Sequence, residues 1–325
     1  MGVDGDGTLS NVPDSPFPTG PGVLSLVVSP NGRTVYVPHI DDRSVTGYRL
    51  DDNGTLHTVA NITFRTPPAA VYLSPDGSQL FVVISGVPAQ IYQYSIAPSG
   101  ALVGTGAPPV RVNRLSDLRT AGIDVTGHSL QLASYLAVTL SATSIRADGR
   151  VTSLDATGGI LGPVAPVYTP DGRYLYRSDG VGATVSGFSI GENGNLTPTP
   201  GSPYPTGGIA HGNVLSGDSK RLYVSNTSAA GSGGGSVAGF QVSDDGELLA
   251  LPGSPYPAPG GISWGHITAH PDGKYLYLAD TPTTHGTTRM HTYEVHDDGS
   301  LIPSGREPVD TGVVVSDGPT IAMTP

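Results

Sequence analysis

Ser29-Pro-Asn-Gly-Arg-Thr-Val-Tyr-Val37 is the first copy of a motif that recurs along the whole chain and indicates a repeat architecture. Clear copies are Ser74-Pro-Asp-Gly-Ser-Gln-Leu-Phe-Val82, Thr169-Pro-Asp-Gly-Arg-Tyr-Leu-Tyr-Arg177 and His270-Pro-Asp-Gly-Lys-Tyr-Leu-Tyr-Leu278, and weaker ones are Asp124-Val-Thr-Gly127 and Ser216-Gly-Asp-Ser-Lys-Arg-Leu-Tyr-Val224. The copies start at 29, 74, 124, 169, 216 and 270, so their spacings are 45, 50, 45, 47 and 54 residues. A period of this length, with strand-forming residues, is typical of β-propeller blades.

Each repeat predicts four antiparallel strands. An apolar first strand precedes the motif, and the Asp-Gly or Asn-Gly pair turns the chain into the second strand, because such pairs adopt the positive φ of a tight hairpin. The third strand shares a template, as in Val45-Thr-Gly-Tyr-Arg-Leu50 and Val237-Ala-Gly-Phe-Gln-Val242. Another hairpin leads to the outer strand. Residues 128–148, the longest stretch without Gly or Pro, alternate apolar and polar residues and are also predicted as strand.

We therefore predict an all-β fold, a propeller of about seven blade positions in a single domain over residues 1–325. Six four-stranded repeats are complete, starting near residues 22, 67, 117, 163, 209 and 262. The closing blade is incomplete, because residues 318–325 supply an inner strand and residues 6–11 an outer one. Unpaired strand edges bind other strands. We expect residues upstream of Met1, a neighbouring chain or a rearranged ring to fill the gap.

Composition narrows the classes of function. The 325 residues include 46 Gly and 30 Pro, which excludes long helices, while 37% hydrophobic and 13% charged residues fit a globular protein. The net charge of −11 makes nucleic acid and anionic membrane surfaces poor partners. The absence of cysteine excludes disulfides and thiolate chemistry. No export signal is recognised, and the localisation and oligomeric state stay open.

Polar side chains collect at one rim of the predicted blades, where second strands end and the following loops begin. His39, Asp179, Asn226 and Asp280 occupy the same template position there, so neighbouring blades are expected to point polar groups at a common axis. Such convergence suits a small-molecule ligand. The alternative is that strand ends facing solvent are polar without a function. The same rim also includes Asp41, Asp42, Arg43, Arg119, His211, His266 and His285.

Histidine and aspartate are the candidates for chemistry at this rim. His211 and His266 lie one template position apart at the start of inner strands, where a neutral imidazole can take a proton from water or substrate. Histidines that merely line a wet channel are the alternative. Asp179 and Asp280 are the candidates to orient them. The predicted substrate-binding residues are His39, Asp41, Arg43, Arg119, Asn226 and His285, with Arg43 or Arg119 holding an anionic group.

No cofactor is expected. Imidazole nitrogens and carboxylate oxygens do suit Zn²⁺ or Ca²⁺, so a divalent metal is chemically possible at His39, Asp179, His211, His266 and Asp280. Nothing in the local spacing of these residues supports a metal site, however.

The repeated motif, the Val-x-Gly-Tyr/Phe third strand and the linker Gly253-Ser-Pro-Tyr-Pro257 resemble the lactonase family of seven-bladed β-propellers. That family includes a type of 6-phosphogluconolactonase and the carboxymuconate-lactonising enzymes. The resemblance spans the whole chain and implies an enzyme that acts on a small lactone or related organic acid in a central channel. Relatives also include non-catalytic propellers, so binding of a sugar, peptide or protein on the loop face is the alternative function.

One motif of that family is matched residue by residue. Gly265-His-Ile-Thr-Ala-His-Pro-Asp-Gly273 is similar to the family's Gly-Pro-Arg-His-x-x-Phe-His-Pro-Asn-Gly, with His266 in the histidine place and Gly265 where the family has arginine. The family often places Asn-Glu after the following strand. Here Asp280 stands in the Asn place and no Glu follows it. The chain has only four glutamates, two in outer hairpins, one in a third strand and one in a linker, so acid–base chemistry in the channel is expected to depend on histidine and aspartate.

Overall fold

Strands and turns form the described part of this protein, as its many Gly and Pro residues require. The computed structural model describes residues 1–23, 25–86, 88–111, 166–180, 182–191, 196–227, 234–259, 264–280, 286–313 and 321–323 with their side chains. It describes residue 112 and residues 118–123, 129–134, 139–145 and 151–158 as backbone. Among these residues there is no α-helix, and hence no helix that could cross a membrane.

The chain divides into two compact units. The first comprises Met1–Pro16, Val164–Ile190 and Leu196–Met323, and the second comprises Phe17–Pro163, Gly191–Asn195 and Thr324–Pro325. The first unit begins with a two-stranded antiparallel sheet, β1 (Gly2–Val3) and β2 (Leu9–Ser10). We refer to residues 2–10 as the N-terminal hairpin.

The second unit contains three antiparallel sheets, each with a path of four strands in chain order. Their strands are β3 (Val27–Val28), β4 (Thr34–His39), β5 (Ser44–Leu50) and β6 (Leu56–Thr63); β7 (Pro68–Leu73), β8 (Gln79–Ile84), β9 (Ala89–Ile96), β10 (Leu102–Gly104) and β11 (Val110–Val112); and β12 (Leu118–Ile123), β13 (Ser129–Ser134), β14 (Thr139–Ile145) and β15 (Val151–Gly158). Strand β11 pairs with the third strand of its sheet, β9. The stretch 128–148 thus contains strands, as its alternating pattern predicted.

The first unit contains three more sheets of the same kind. Their strands are β16 (Val167–Tyr168), β17 (Tyr174–Asp179), β18 (Thr184–Ile190), β19 (Leu196–Pro198) and β20 (Tyr204–Pro205); β21 (Ile209–Leu215), β22 (Arg221–Thr227), β23 (Ser236–Val242), β24 (Leu248–Ala250) and β25 (Tyr256–Pro257); and β26 (Trp264–Ala269), β27 (Tyr275–Asp280), β28 (Arg289–Val295), β29 (Leu301–Pro303) and β30 (Val309–Asp310). In each sheet the last strand comes from the linker and pairs with the third strand.

The repeated up-and-down sheet confirms the all-β propeller class but not the count of about seven blade positions. Five sheets with a four-strand path are described with side chains, four of them carrying a fifth strand, and a sixth sheet, β12–β15, is described as backbone. At the predicted closing position the described strands form only the two-stranded sheet β1–β2. The predicted count of about seven is wrong for the described residues: the incomplete closing blade was expected to combine an inner strand from residues 318–325 with an outer strand from residues 6–11, but β2 pairs with β1 and residues 321–323 form no strand.

Apolar side chains between neighbouring sheets form the core. One cluster joins sheet β16–β20 to sheet β21–β25 through residues such as Tyr176, Leu222 and Phe240. The next joins sheet β21–β25 to sheet β26–β30 and includes Trp264, which has no exposed surface. The N-terminal hairpin packs on sheet β26–β30 through Leu9. In the second unit, Tyr36 and Val82 belong to the cluster between its first two sheets. Consecutive residues of β22 are buried, because sheet β21–β25 packs against a neighbouring sheet on each of its two faces.

In four sheets, a tyrosine of the second strand donates a hydrogen bond to a neighbouring hairpin. In three of them this is the outer hairpin of the next sheet, and in the fourth it is the N-terminal hairpin. The hydroxyl of Tyr36 donates to Gly100 O (2.8 Å), that of Tyr176 to Gly246 O (2.9 Å) and that of Tyr223 to Gly299 O (2.9 Å). Tyr277 donates to Gly7 O (3.2 Å) in the N-terminal hairpin. Desolvation by burial raises the pKa of Tyr36, Tyr223 and Tyr277 to about 12, so these hydroxyls remain donors at neutral pH.

The last of these hydrogen bonds identifies the place of the N-terminal hairpin. Relative to sheet β26–β30, the hairpin lies where the outer hairpin of a following sheet lies elsewhere in the first unit. Arg306 adds two more hydrogen bonds, from Nη2 to Asp6 O (2.8 Å) and from Nη1 to Thr8 Oγ1 (2.6 Å). The sequence assignment of residues 6–11 to an outer strand therefore has a structural counterpart at β2.

Aspartates in the hairpin turns make the stability of this fold depend on pH. Asp76 accepts hydrogen bonds from Ser74 Oγ (2.6 Å) and Ser78 N (3.0 Å), and these bonds hold its pKa below the usual range. Side-chain hydrogen bonds to Ser or Thr likewise lower the pKa of Asp6, Asp218, Asp245 and Asp298. A depressed carboxyl pKa contributes stability above the pKa of the unfolded chain, about 3.9, and this contribution is lost as the pH falls through the folded value.

We therefore expect the melting temperature to change little between pH 7 and about pH 5 and to fall steeply below about pH 4. Calorimetry across that range tests this. Asp76→Asn keeps an acceptor oxygen in the turn but does not titrate, so it should flatten the acid limb relative to the unmodified protein. A melting temperature that is constant down to pH 2 would contradict the assignment.

Candidate active site

Two β-bulges carry the histidines that the sequence singled out. In the inner strand β21, His211 and Gly212 together face Ser225, because the register shifts between the pairs Ala210↔Asn226 and Asn213↔Val224. In the inner strand β26, Gly265 and His266 together face Ala279 for the same reason. A bulge redirects side chains and is frequent beside active sites. Both histidines are half-buried.

The two bulges lie side by side and bring the imidazoles together. The ring centroids of His211 and His266 are 4.8 Å apart, and the rings are T-shaped at 81°. The strands approach so closely that a Cβ on Gly212 would lie 3.0 Å from His266 Cα and 3.1 Å from Ile267 N. Only a glycine fits this contact without displacing the neighbouring backbone. The chain therefore places two partly accessible proton-transfer groups within one small area.

A buried serine connects the same two bulges. Ser225 has no exposed surface, accepts a hydrogen bond from Gly212 N (3.0 Å) and donates one to Gly265 O. In sheet β16–β20, Ser178 occupies the equivalent strand position and accepts a hydrogen bond from Asn213 Nδ2 (3.1 Å). These contacts fix the inner strands of neighbouring sheets relative to one another.

Asp280 lies behind the β26 bulge, paired with a histidine that the sequence analysis missed. Its Oδ1 accepts a hydrogen bond from Arg289 N (2.7 Å), and its Oδ2 is 3.4 Å from His291 Nε2. The His291 ring also packs against Trp264, with centroids 4.9 Å apart. The signal was available, because His291 replaces the small residues Thr46, Ser186 and Ala238 of the third-strand template.

Two other predicted rim residues, Asn226 and Asp179, form hydrogen bonds with nearby segments of the chain. Asn226 has no exposed surface, and its Nδ2 donates to Thr206 O (2.8 Å) and Ser236 Oγ (2.9 Å). Its Oδ1 is buried without a hydrogen-bond partner among the described residues. Asp179 is also buried and accepts a hydrogen bond from Gly182 N (3.2 Å) in the loop that follows it. These bonds order the loops beside the site.

The remaining predicted residues lie in the second unit or outside the described residues. His39 is buried, with Nδ1 3.0 Å from Gly20 O, and its Nε2 has no hydrogen-bond partner in the described part of the chain. Asp41 and Asp42 flank the same loop. Arg43 is exposed, has φ 53° and donates to Arg65 O (3.3 Å). Arg119 lies in β12, described as backbone, and His285 lies outside the described residues.

A metal site is not found in the part of the chain that the structure describes. There, no three His, Asp or Glu side chains are arranged to hold a metal ion. The absence of a metal requirement stays a prediction.

Arg177 is a buried charge in an otherwise aliphatic position of the second strand. Val37, Val224 and Leu278 stand there in other repeats. Arg177 has no exposed surface, and its three guanidinium nitrogens have no hydrogen-bond partner among the described residues. Burial lowers its pKa to about 10, although the nearby charge of Asp179 acts in the opposite direction. Desolvation therefore outweighs attraction to Asp179.

We expect Arg177→Leu to stabilise the protein, because it removes this desolvation cost and supplies the aliphatic group used at Leu278. Replacing buried charge by apolar side chains of similar volume typically gains up to a few kcal/mol, and about 1–2 kcal/mol is expected here. Denaturant unfolding measures it. Arg221→Leu is the control and should destabilise, since the Arg221 guanidinium donates to Asp297 O. A loss of stability in Arg177→Leu would show that the guanidinium has a stabilising partner.

Comparison with known proteins finds distant relatives of this chain. No protein-family model matches the chain. It is 25% identical over 264 residues to a 6-phosphogluconolactonase of Pectobacterium carotovorum, covering 78% of this chain and 75% of that one. It is 25% identical over 328 residues to a 6-phosphogluconolactonase of Klebsiella pneumoniae, covering 95% and 91%.

The solved structures support the same fold. A periplasmic gluconolactonase of Pseudomonas aeruginosa superposes with a TM-score of 0.75 at 18% identity, covering 98% of this chain and 92% of that one. Together with the sequence relatives, this similarity supports a lactonase-like β-propeller, as the repeated motifs indicated.

Proposed function

We propose that the protein is a propeller-type lactone hydrolase in which His211 and His266 perform acid–base catalysis. The contact of these two half-buried imidazoles, 4.8 Å apart in adjacent bulges, carries the proposal. The relatives named 6-phosphogluconolactonase and the structural neighbour named gluconolactonase support a sugar lactone, or its 6-phosphate, as the substrate class.

Hydrolysis of a lactone needs one proton removed and one returned. A neutral imidazole takes a proton from water while the water oxygen attacks the ring carbonyl carbon, which forms a tetrahedral oxyanion. The ester C–O bond then breaks, and the imidazolium returns the proton to the departing ring oxygen. The product is a hydroxy acid that contains all the atoms of the lactone and of one water molecule. The adjacent second imidazole can donate an N–H hydrogen bond to the developing oxyanion.

His266 is the preferred general base, because it stands in the histidine place of the family motif, and His211 is then the second group. Asp280 and Asp179 remain proposed orienting residues. Asp280 would act behind the β26 bulge, where it already lies beside His291 and Trp264. The roles of His39, Asp41, Arg43, Arg119, Asn226 and His285 in substrate binding remain predictions.

Acid release measured by pH-stat tests the function. δ-Gluconolactone, 6-phosphogluconolactone and an unsubstituted δ-lactone form the panel, with the spontaneous rate subtracted. We expect turnover of at least one sugar lactone. No rate above the spontaneous one for any member, at protein concentrations that saturate binding, would overturn the proposal.

A non-catalytic propeller that binds a sugar, peptide or protein on its loop face is the second candidate. It is favoured by Gly265 in the family's arginine place and by the local hydrogen bonds of Asn226 and Asp280, which occupy groups expected at the site. A thermal shift with gluconate or gluconolactone, without acid release, is the result expected for this function.

A further inference from the structure

Ser225 is the feature from which we draw a further inference. It lies in β22, the second strand of its sheet, at the point where the inner strands of two sheets come closest. Its side chain has no exposed surface. The buried hydroxyl accepts from Gly212 N at 3.0 Å and donates to Gly265 O, with Gly212 O a further 3.3 Å contact.

Both partners of this hydroxyl are the bulge neighbours of a site histidine. Gly212 follows His211 in the chain, and Gly265 precedes His266. A bulge leaves one residue without its regular ladder hydrogen bonds, so a side chain that bonds to the bulged backbone determines how the bulge points. One hydroxyl thus reaches the backbone on which each of the two imidazoles depends.

The close backbone contact between the two bulges couples the positions of the two imidazole rings. Because Gly212 approaches His266 Cα and Ile267 N without room for a Cβ, a small displacement of either bulge changes the separation of the two rings. The hydrogen bonds of Ser225 oppose that displacement from both sides. The equivalent Ser178 bonds instead to the Asn213 side chain, which does not belong to either bulge.

We propose that Ser225 is a positioning residue, whose hydroxyl sets the separation and orientation of His211 and His266. The effect of Ser225 on catalysis rests on the proposed function. Its effect on the separation and orientation of the two rings does not. The hydroxyl takes no part in bond making. It acts by keeping two proton-transfer groups in one arrangement, and a misplacement of about 1 Å can cost about 10²-fold in rate.

NMR of the histidine rings in Ser225→Ala tests the geometry without any substrate. The unmodified protein should show a cross-relaxation peak between the ring protons of His211 and His266, since the ring centroids are 4.8 Å apart. His211→Ala and His266→Ala assign the signals among the nine histidines. We expect Ser225→Ala to lose the peak and to shift both sets of ring signals. Alanine fits the fold at this position, because Ala279 occupies it in the next sheet.

Ser178→Ala is the matched control and should leave both ring signals and their cross peak in place. Ser225→Cys keeps the shape of the side chain with a slightly larger atom and only a weak donor, so it should also weaken the cross peak, and it serves as the second variant if Ser225→Ala unfolds. An unchanged cross peak in both Ser225 variants would overturn the proposal.

Kinetics separate this proposal from the proposed function. If the protein hydrolyses a lactone, Ser225→Ala should lower kcat by about 10- to 100-fold with little change in KM, because alignment of the catalytic groups is lost rather than ground-state binding. If no lactone is turned over, the proposed function fails, while the ring contact still tests the role of Ser225.

Discussion

Lactone hydrolysis should fall by about 10²- to 10⁴-fold in kcat/KM when His211 and His266 are both replaced by alanine, the range expected for losing general acid–base catalysis. The reason is geometric. These two imidazoles meet in adjacent bulges, and no other side chain in the proposed mechanism moves the proton. Acid release by pH-stat with the best substrate of the panel measures the effect.

The single variants show whether the pair works as a unit. If one imidazole is the base and the other stabilises the oxyanion, each single replacement should cost almost as much as the double one, as is usual for interdependent catalytic groups. His57→Ala/His296→Ala is the matched double control, because both residues are exposed histidines away from the inner strands. Full activity in His211→Ala/His266→Ala would move the chemistry elsewhere in the molecule.

The fold was predictable where local chemistry decides it. Asp-Gly and Asn-Gly pairs set a positive φ within the turn itself, as at Gly32 and Gly246, so the repeat spacing converted directly into strands. The closing position was not predictable in the same way. Whether residues 6–11 share a sheet with residues 318–325 or form a hairpin with residues 2–3 depends on which strands pair, and the sequence pattern does not specify that.

In the candidate site, too, the residues could be predicted from local sequence, but their contacts could not. His211 and His266 were recognised as candidates, and their offset by one template position fits the structure, in which each holds a different place within its bulge. The contact between them could not be predicted, because it depends on the register of β21 and β26. The convergence of Asn226 and Asp280 on a ligand stays a prediction. Their hydrogen-bond partners, Thr206 O and Arg289 N, could not be predicted, because they come from other segments of the chain.

Alanine at Gly7 should destabilise the protein about as much as alanine at Gly246. Both glycines have a positive φ, 81° and 82°, and a Cβ at either would lie 2.5 Å from a tyrosine ring, that of Tyr275 or Tyr174. A left-handed φ costs a non-glycine residue about 1–2 kcal/mol, and overpacking typically adds about 1–3 kcal/mol. We therefore expect each variant to lose several kcal/mol in denaturant unfolding.

Alanine variants of two further glycines distinguish the cost of the positive φ from the cost of the contact with the tyrosine ring. Gly273 has φ 74°, but no atom lies within 4 Å of the position that a Cβ would occupy, so Gly273→Ala should show the backbone cost alone, about 1–2 kcal/mol. Gly5 lies in the same N-terminal hairpin as Gly7, with neither a positive φ nor a neighbour within 4 Å, so Gly5→Ala should be nearly neutral. The difference between Gly7→Ala and Gly273→Ala then measures the contact with Tyr275.

That difference decides whether the N-terminal hairpin belongs to the folded core. Tyr277 and Arg306 bond to Gly7, Asp6 and Thr8 in the hairpin, and Leu9 packs against sheet β26–β30. If the hairpin is held as firmly as the outer hairpin that contains Gly246, unfolding must break these contacts, and the cost of Gly7→Ala appears in full. If the hairpin is detached in solution, Gly7→Ala should cost no more than Gly5→Ala, and the placement of residues 2–10 beside sheet β26–β30 would be wrong.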